Sequence, residues 1–285
     1  TSPICLILTS SRMSDRKDKV IMEITYILNT DNYTYEPYSD GGFSGKILLA
    51  NPKKEDLPKL LIKSENPSSA CCEFMYSRLA ELLRIPAPKA YIMDVSKKDK
   101  KLFGSPYVVG IEYMEGMRSF TLEEMRSSSE WKKEYAGQYA LSAMFEQDDL
   151  VQLTMTADGH ICGYDFTETF WLSDMTVRAY QLPEEQLTAI LSTRLQASAR
   201  QGTSFLSAGA AVVKKHFELP ENAPVPSEYL EPLRGLYALT EDDIEGLIDT
   251  LDEVYQMTVS VYIEEYLVLL QKKIAAYFKI IGEEI

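Results

Sequence analysis

The chain has 285 residues, 45% apolar and 25% charged, enough for a full core in one two-lobed unit or two small domains and unlike a disordered or fibrous protein. Its formal charge of -14 repels polyphosphate and argues against nucleic acid as a partner, leaving Lys97-Lys98-Asp99-Lys100-Lys101 as a solvated loop. Two histidines, His160 and His216, offer little material for a zinc enzyme or a Ser-His-Asp hydrolase, and Cys5, Cys71, Cys72 and Cys162 lack zinc-ligand spacing and read as reduced thiols.

In chain order, Ile4 to Leu8 is apolar but too short to span a bilayer, and its basic stretch follows rather than precedes it. Residues 1–19 are therefore expected to be a flexible extension, with order beginning near Val20 to Leu28 and a cytoplasmic location, without export or a membrane anchor. Tyr33 to Tyr38 and Ile47 to Ala50 read as strands around Ser39-Asp40-Gly41-Gly42-Phe43-Ser44-Gly45-Lys46. Backbone amides approach phosphate most closely where side chains are absent, so Gly41, Gly42 and Gly45 suit a phosphate-covering turn; any hairpin would also use them. A Walker loop is excluded, because Gly45-Lys46 is followed by Ile47 and leads into a strand.

Lys59 to Lys63 is an apolar strand ending in lysine. The next segment is helical: Cys72, Met75, Leu79, Leu82 and Leu83 recur at helical spacing, Ser68 or Ser69 suits the N-cap, and Pro86 and Pro88 stop the helix after Arg84. Glu73 falls in its first turns. A strand lysine and an early-helix glutamate form the ion pair that holds lysine against nucleotide phosphates in kinases; the plain alternative is a solvated lysine and a glutamate favoured by the helix dipole. Ala90 to Val95 and Pro106 to Met114 are further strands, and Glu115-Gly116-Met117 is a connection out of the sheet.

Beyond Phe120 the texture turns helical. Thr121 with Glu124 makes a capping-box pattern, Trp131 to Phe145 is a long helix, and Pro183 to Gly202 and a run opening at Thr240 with Asp243 are others. A final helix ends near Gly282, with Ile263, Leu267, Leu270, Ile274, Phe278 and Ile281 on one face. Glu218 to Pro232, with four prolines, reads as a surface crossing. Leu153 to Met155, the turn Ala157-Asp158-Gly159 and His160 to Tyr164 form a hairpin. Asp165 ends it inside an apolar run, where a carboxylate needs a metal, a cation or several donors unless it only caps the next turn.

Glycine turn, strand lysine, helix glutamate, proline-stopped helix and two more strands follow one another in the order of a kinase N-lobe, and Asp165 falls where kinases keep a magnesium-binding aspartate. On these residues the chain resembles the HipA-like kinase family, itself related in fold to phosphatidylinositol kinases. The likeness runs from about Met22 to the C-terminus and is clearest in Leu60 to Pro88 and Gly159 to Phe170. It implies an α+β, two-lobed fold, with an antiparallel β-sheet N-lobe carrying one helix over 20–117 and a mostly helical C-lobe over 118–285.

It also implies ATP and Mg2+ as cofactors and a serine or threonine hydroxyl on a protein as acceptor. Gly41, Gly42 and Gly45 would cover the phosphates, Lys63 would neutralise them, Glu73 would orient Lys63, and backbone groups from Glu112 to Met114 would bond the adenine edge. Asp165 and Gln152 would hold the metal, and Asp148 would orient the acceptor. The pattern departs at Gln147 and Gln152, where the family places an aspartate and an asparagine, and at Thr167, where Asp-Phe-Gly has glycine. These departures favour a second reading, an inactive kinase-fold module that binds nucleotide or a partner. A third reading is a non-kinase α+β interaction protein.

Overall fold

In the computed structural model the residues described are 27–39, 47–63, 67–145, 151–165, 204–240, 242–243 and 259–285. The glycine turn, Gln147, Asp148, the 183–202 helix and residues 1–19 lie outside them.

The elements in chain order are β1 (Ile27–Asn29), β2 (Tyr33–Ser39), β3 (Ile47–Pro52), β4 (Leu60–Lys63), α1 (Pro67–Leu82), β5 (Ala90–Asp94), α2 (Lys100–Phe103) and β6 (Tyr107–Glu112). The helical part follows with α3 (Leu122–Arg126), α4 (Ser129–Met144), the hairpin strands β7 (Gln152–Met155) and β8 (Ile161–Tyr164), α5 (204–216), α6 (Ser227–Tyr237) and α7 (Val259–Ile281). Six strands form one sheet in the order β1-β5-β6-β4-β3-β2. Its pairs are antiparallel as expected, save that β1 joins β5 in parallel, with Leu28 opposite Met93.

Helix α1 starts at Pro67, ahead of both serines expected to cap it; proline suits a first helical position, where the missing N–H has no intrahelical partner to lose. It ends at Leu82 because Arg84 turns left-handed, φ 57°, and Ile85 N–H reaches back to Ala80 O at 2.8 Å while Arg84 N–H bonds Glu81 O. Cys72, Met75 and Leu79 are buried as their spacing predicts, whereas Leu82 is exposed. The Lys97 to Lys101 run is not all loop, since Lys100 and Lys101 open α2, and Lys98 pairs with Asp31 at 2.5 Å.

The capping box of Thr121 and Glu124 opens α3, and Ser128 caps α4. The expected crossing from Glu218 ends at Pro226, because Ser227–Tyr237 is helix with Pro232 inside it. Tyr229, Leu230, Leu233 and Leu236 are buried along one face, and that burial outweighs the backbone bond proline removes.

One continuous core holds α1 residues (Phe74, Met75, Tyr76, Leu79), sheet residues (Ile92, Val109, Ile111) and buried residues of α4, α5, α6 and α7. A second cluster, with Tyr33, Ala50, Leu60, Ile62 and Met93, lies on the opposite side of the sheet. A third, with Met125, Tyr135, Met155 and Ile161, seats the β7–β8 hairpin on α3 and α4. Among the described residues no helix is long and apolar enough to cross a membrane.

Candidate functional site

Three segments far apart in the chain meet at Lys63. Strand β4 alternates buried and half-buried residues, which puts Lys63 on the opposite side from Leu60 and Ile62 and turns it toward α1 and the hairpin. Its Nζ lies 2.6 Å from Glu73 Oε1 and 2.6 Å from Asp165 Oδ1. Glu73 is 2% exposed, on a helix buried nearly all round, so its charge depends on such a cation. Asp165 side-chain exposure is 39%, open to a ligand.

Asp165 has φ 67°, a left-handed conformation that is sparsely populated outside glycine and more accessible to aspartate than to most residues. It directly follows β8, whose pairing with β7 sets Gln152 opposite Tyr164. Gln152 Nε2 donates to Asp165 Oδ2 at 3.3 Å. Each carboxylate oxygen of Asp165 therefore meets a donor, Lys63 on one and Gln152 on the other. Lys63 thus bridges the carboxylates of Glu73 and Asp165, and the oxygens of the more exposed Asp165 are of the kind a hard divalent cation takes as ligands.

The segment that leaves β6 after Glu112 passes the same cleft. Glu112 N–H is taken by Lys89 O and Tyr113 N–H by Lys59 O, both at 2.8 Å, so these amides belong to the sheet. That narrows the expected adenine contact: of the amides from Glu112 to Met114, the first two are spent. Met114 Sδ accepts from Cys162 Sγ at 3.6 Å, and burial pushes the Cys162 thiol up to about 12, so it stays protonated and inert. Arg118 and Met155 exchange backbone bonds at 3.0 and 2.9 Å, fastening the connection after Gly116 to the hairpin that carries Asp165.

A second brace was not foreseen from the sequence. Glu134 on α4, buried, receives Ile161 N–H at 2.8 Å through Oε2 and meets His160 Nδ1 at 2.5 Å through Oε1. Trp131 Nε1 donates to Gly159 O at 2.7 Å beside it. The bond to Glu134 raises the His160 pKa. A glutamate amid the buried Tyr135 and Ala136 was the available signal. The structure thus brings Lys63, Glu73, Gln152 and Asp165 together and sets Glu112 and Met114 on the adjoining strand end, while Gly41, Gly42, Gly45 and Asp148 fall outside the described residues.

No family model matches the chain, and no curated protein matches it. Among solved structures it is similar to a Helicobacter pylori proinflammatory kinase, CtkA, with TM-score 0.53 and 10% identity over 91% of this chain and 100% of that one. At that identity the likeness speaks for the fold, and with the sheet and helical parts described above it establishes a mixed α+β, two-lobed kinase-like fold.

Proposed function

We propose that this chain is an ATP- and magnesium-dependent phosphotransferase of HipA-like type, with residues 20–117 and 118–285 as its lobes and a protein serine or threonine hydroxyl as acceptor. The observation that carries the reading is Lys63 at 2.6 Å from both Glu73 and Asp165, since a lysine held in this way is set to neutralise nucleotide phosphates. The oxygens of Asp165 and of the Gln152 amide, which turns over to present its carbonyl, suit Mg2+, which when bound offsets charge on the phosphates. Gly41, Gly42 and Gly45 cover the phosphates, Met114 N–H and the Glu112 carbonyl face the base edge, and Asp148 accepts the acceptor's proton. The hydroxyl oxygen bonds the γ-phosphorus as the bond to the β–γ bridging oxygen breaks, and ADP leaves.

Mg-ATP at millimolar concentration is expected to raise the melting temperature of the parent and leave Asp165→Ala unmoved, because a ligand of the native state stabilises it by mass action. No shift for the parent would sink the nucleotide reading. Gln152 offering an N–H to Asp165 favours a second reading, nucleotide binding without transfer. Labelled phosphate separates the two: transfer that Asp148→Asn suppresses while nucleotide affinity persists supports the enzyme, and a parent that binds Mg-ATP without transferring supports the module.

A further inference from the structure

The far end of the same cleft carries an aromatic pair that the roles above leave unused. In β2 a bulge falls at Tyr38: Pro37 pairs with Leu48 and Ser39 with Ile47, leaving Tyr38 as the extra residue. Bulges re-aim a side chain, and this one sends the Tyr38 ring to Tyr113, centroids 5.6 Å apart and edge-on at 72°. Strand β2 lies at the edge of the sheet and Tyr113 follows β6, so the contact bridges across the intervening β3 and β4.

The contact lies on the side of the sheet that faces the cleft. Lys59 directly precedes β4 and continues its pairing through Tyr113 N–H to Lys59 O, so Lys59 and Lys63, an even number of residues apart, both project from the face that turns Lys63 toward Asp165. Lys59 Nζ sits 4.7 Å over the Tyr113 ring and 3.3 Å from Glu115 Oε1. Four residues of extended chain separate the two lysines, roughly 13 Å, the scale of an extended nucleoside triphosphate.

The two ends differ in chemistry. Around Lys63 lie the carboxylates and the amide suited to metal and phosphate. Around Lys59 the ammonium is already engaged by Glu115 and Tyr113, and the neighbouring Met114 and Cys162 are apolar. That polarity orients a ligand with a charged tail at one end and a flat, uncharged ring at the other.

We propose that Tyr38 and Tyr113 form an aromatic clasp at the base end of the cleft, retaining the nucleobase of a nucleoside triphosphate whose phosphates reach Lys63. Tyr38 is a positioning residue, and Lys59 and Glu115 hold Tyr113 in place. The proposal rests on the nucleotide-cleft reading and adds to it where the base is gripped and by which side chains.

The test is stopped-flow release of Mg2+-bound 2-aminopurine riboside triphosphate, a fluorescent base analogue, from the parent, Tyr38→Ala and Tyr38→Phe, beside calorimetric affinity for Mg-tripolyphosphate, which has no base. Tyr38 is 45% exposed, so its variants are expected to fold, with melting temperature as the control. Release from Tyr38→Ala is expected to be about five- to tenfold faster, the scale of one lost aromatic contact, with Tyr38→Phe near the parent and tripolyphosphate affinity the same in all three. Release from Tyr38→Ala at the parent's rate overturns the clasp while leaving the nucleotide cleft standing, and so does an equal loss of tripolyphosphate affinity. A parent that binds neither the analogue nor ATP overturns the cleft reading itself, and the clasp with it.

Discussion

At the scale of single residues the site is a balance of buried charge. Lys63→Met keeps the stem and removes the ammonium from Glu73 and Asp165. Removing one partner of a buried pair is costly, and with Lys63 and Asp165 partly exposed the expected loss is about 2 kcal/mol in urea unfolding. Lys63→Met/Glu73→Gln is expected to recover part of it, and simple additivity of the two changes would show that the pair is not coupled. His160 supplies a pH test. Its imidazole is held above the ordinary value by the bond to Glu134, with Asp158 and Glu130 adding negative charge nearby. A group whose pKa rises on folding contributes fully below its unfolded pKa and loses that contribution as pH climbs through the folded one. His160→Gln should therefore cost more stability near about pH 5.5 than near about pH 9. Equal costs at the two would remove the ion pair from the account. Lys63 and Glu73 were legible in the sequence because strand end and helix turn fix their places locally. Glu134 with His160 was not, since that bond exists only once α4 and the hairpin are packed together.

At the scale of elements, local chemistry decided some boundaries and tertiary burial overrode others. The hairpin of β7 and β8 followed from its Asp158-Gly159 turn, with Gly159 at φ 90°, and α3 from its capping box. The pairing of β1 with β5 was not readable, because a strand of three residues carries too little alternation to announce its partner. Pro232 misled for a related reason: a breaker in sequence is a tolerated residue once Tyr229, Leu230, Leu233 and Leu236 are buried around it. The end of α1 yields a clean prediction. Arg84 occupies the left-handed position that glycine fills without a Cβ clash, so Arg84→Gly should raise the urea midpoint, by roughly 0.5 kcal/mol in stability after the entropy of a freer unfolded chain is subtracted. A lowered midpoint would mean that the arginine side chain contributes more than its backbone costs.

At the scale of the whole molecule, the sheet and the helical part share one core rather than meeting across a seam. Phe74, Met75 and Leu79 of α1 belong to the same cluster as Val109 and Ile111 of the sheet and Leu233 and Ile274 of the distant helices. Calorimetry is accordingly expected to show one cooperative transition, with van't Hoff and calorimetric enthalpies in agreement, and two resolved transitions would contradict a shared core. The kinase-like architecture was legible from the order of motifs, but this continuity was not, because α1 could as well have lain on the sheet with its other side in water. The helix that carries Glu73 is also the member through which the two parts are joined. A chain cut between them would expose the flank of α1 that now meets the helical part, and the fragment holding Lys63 would have to bury that flank against something else before its lysine could again find its carboxylates.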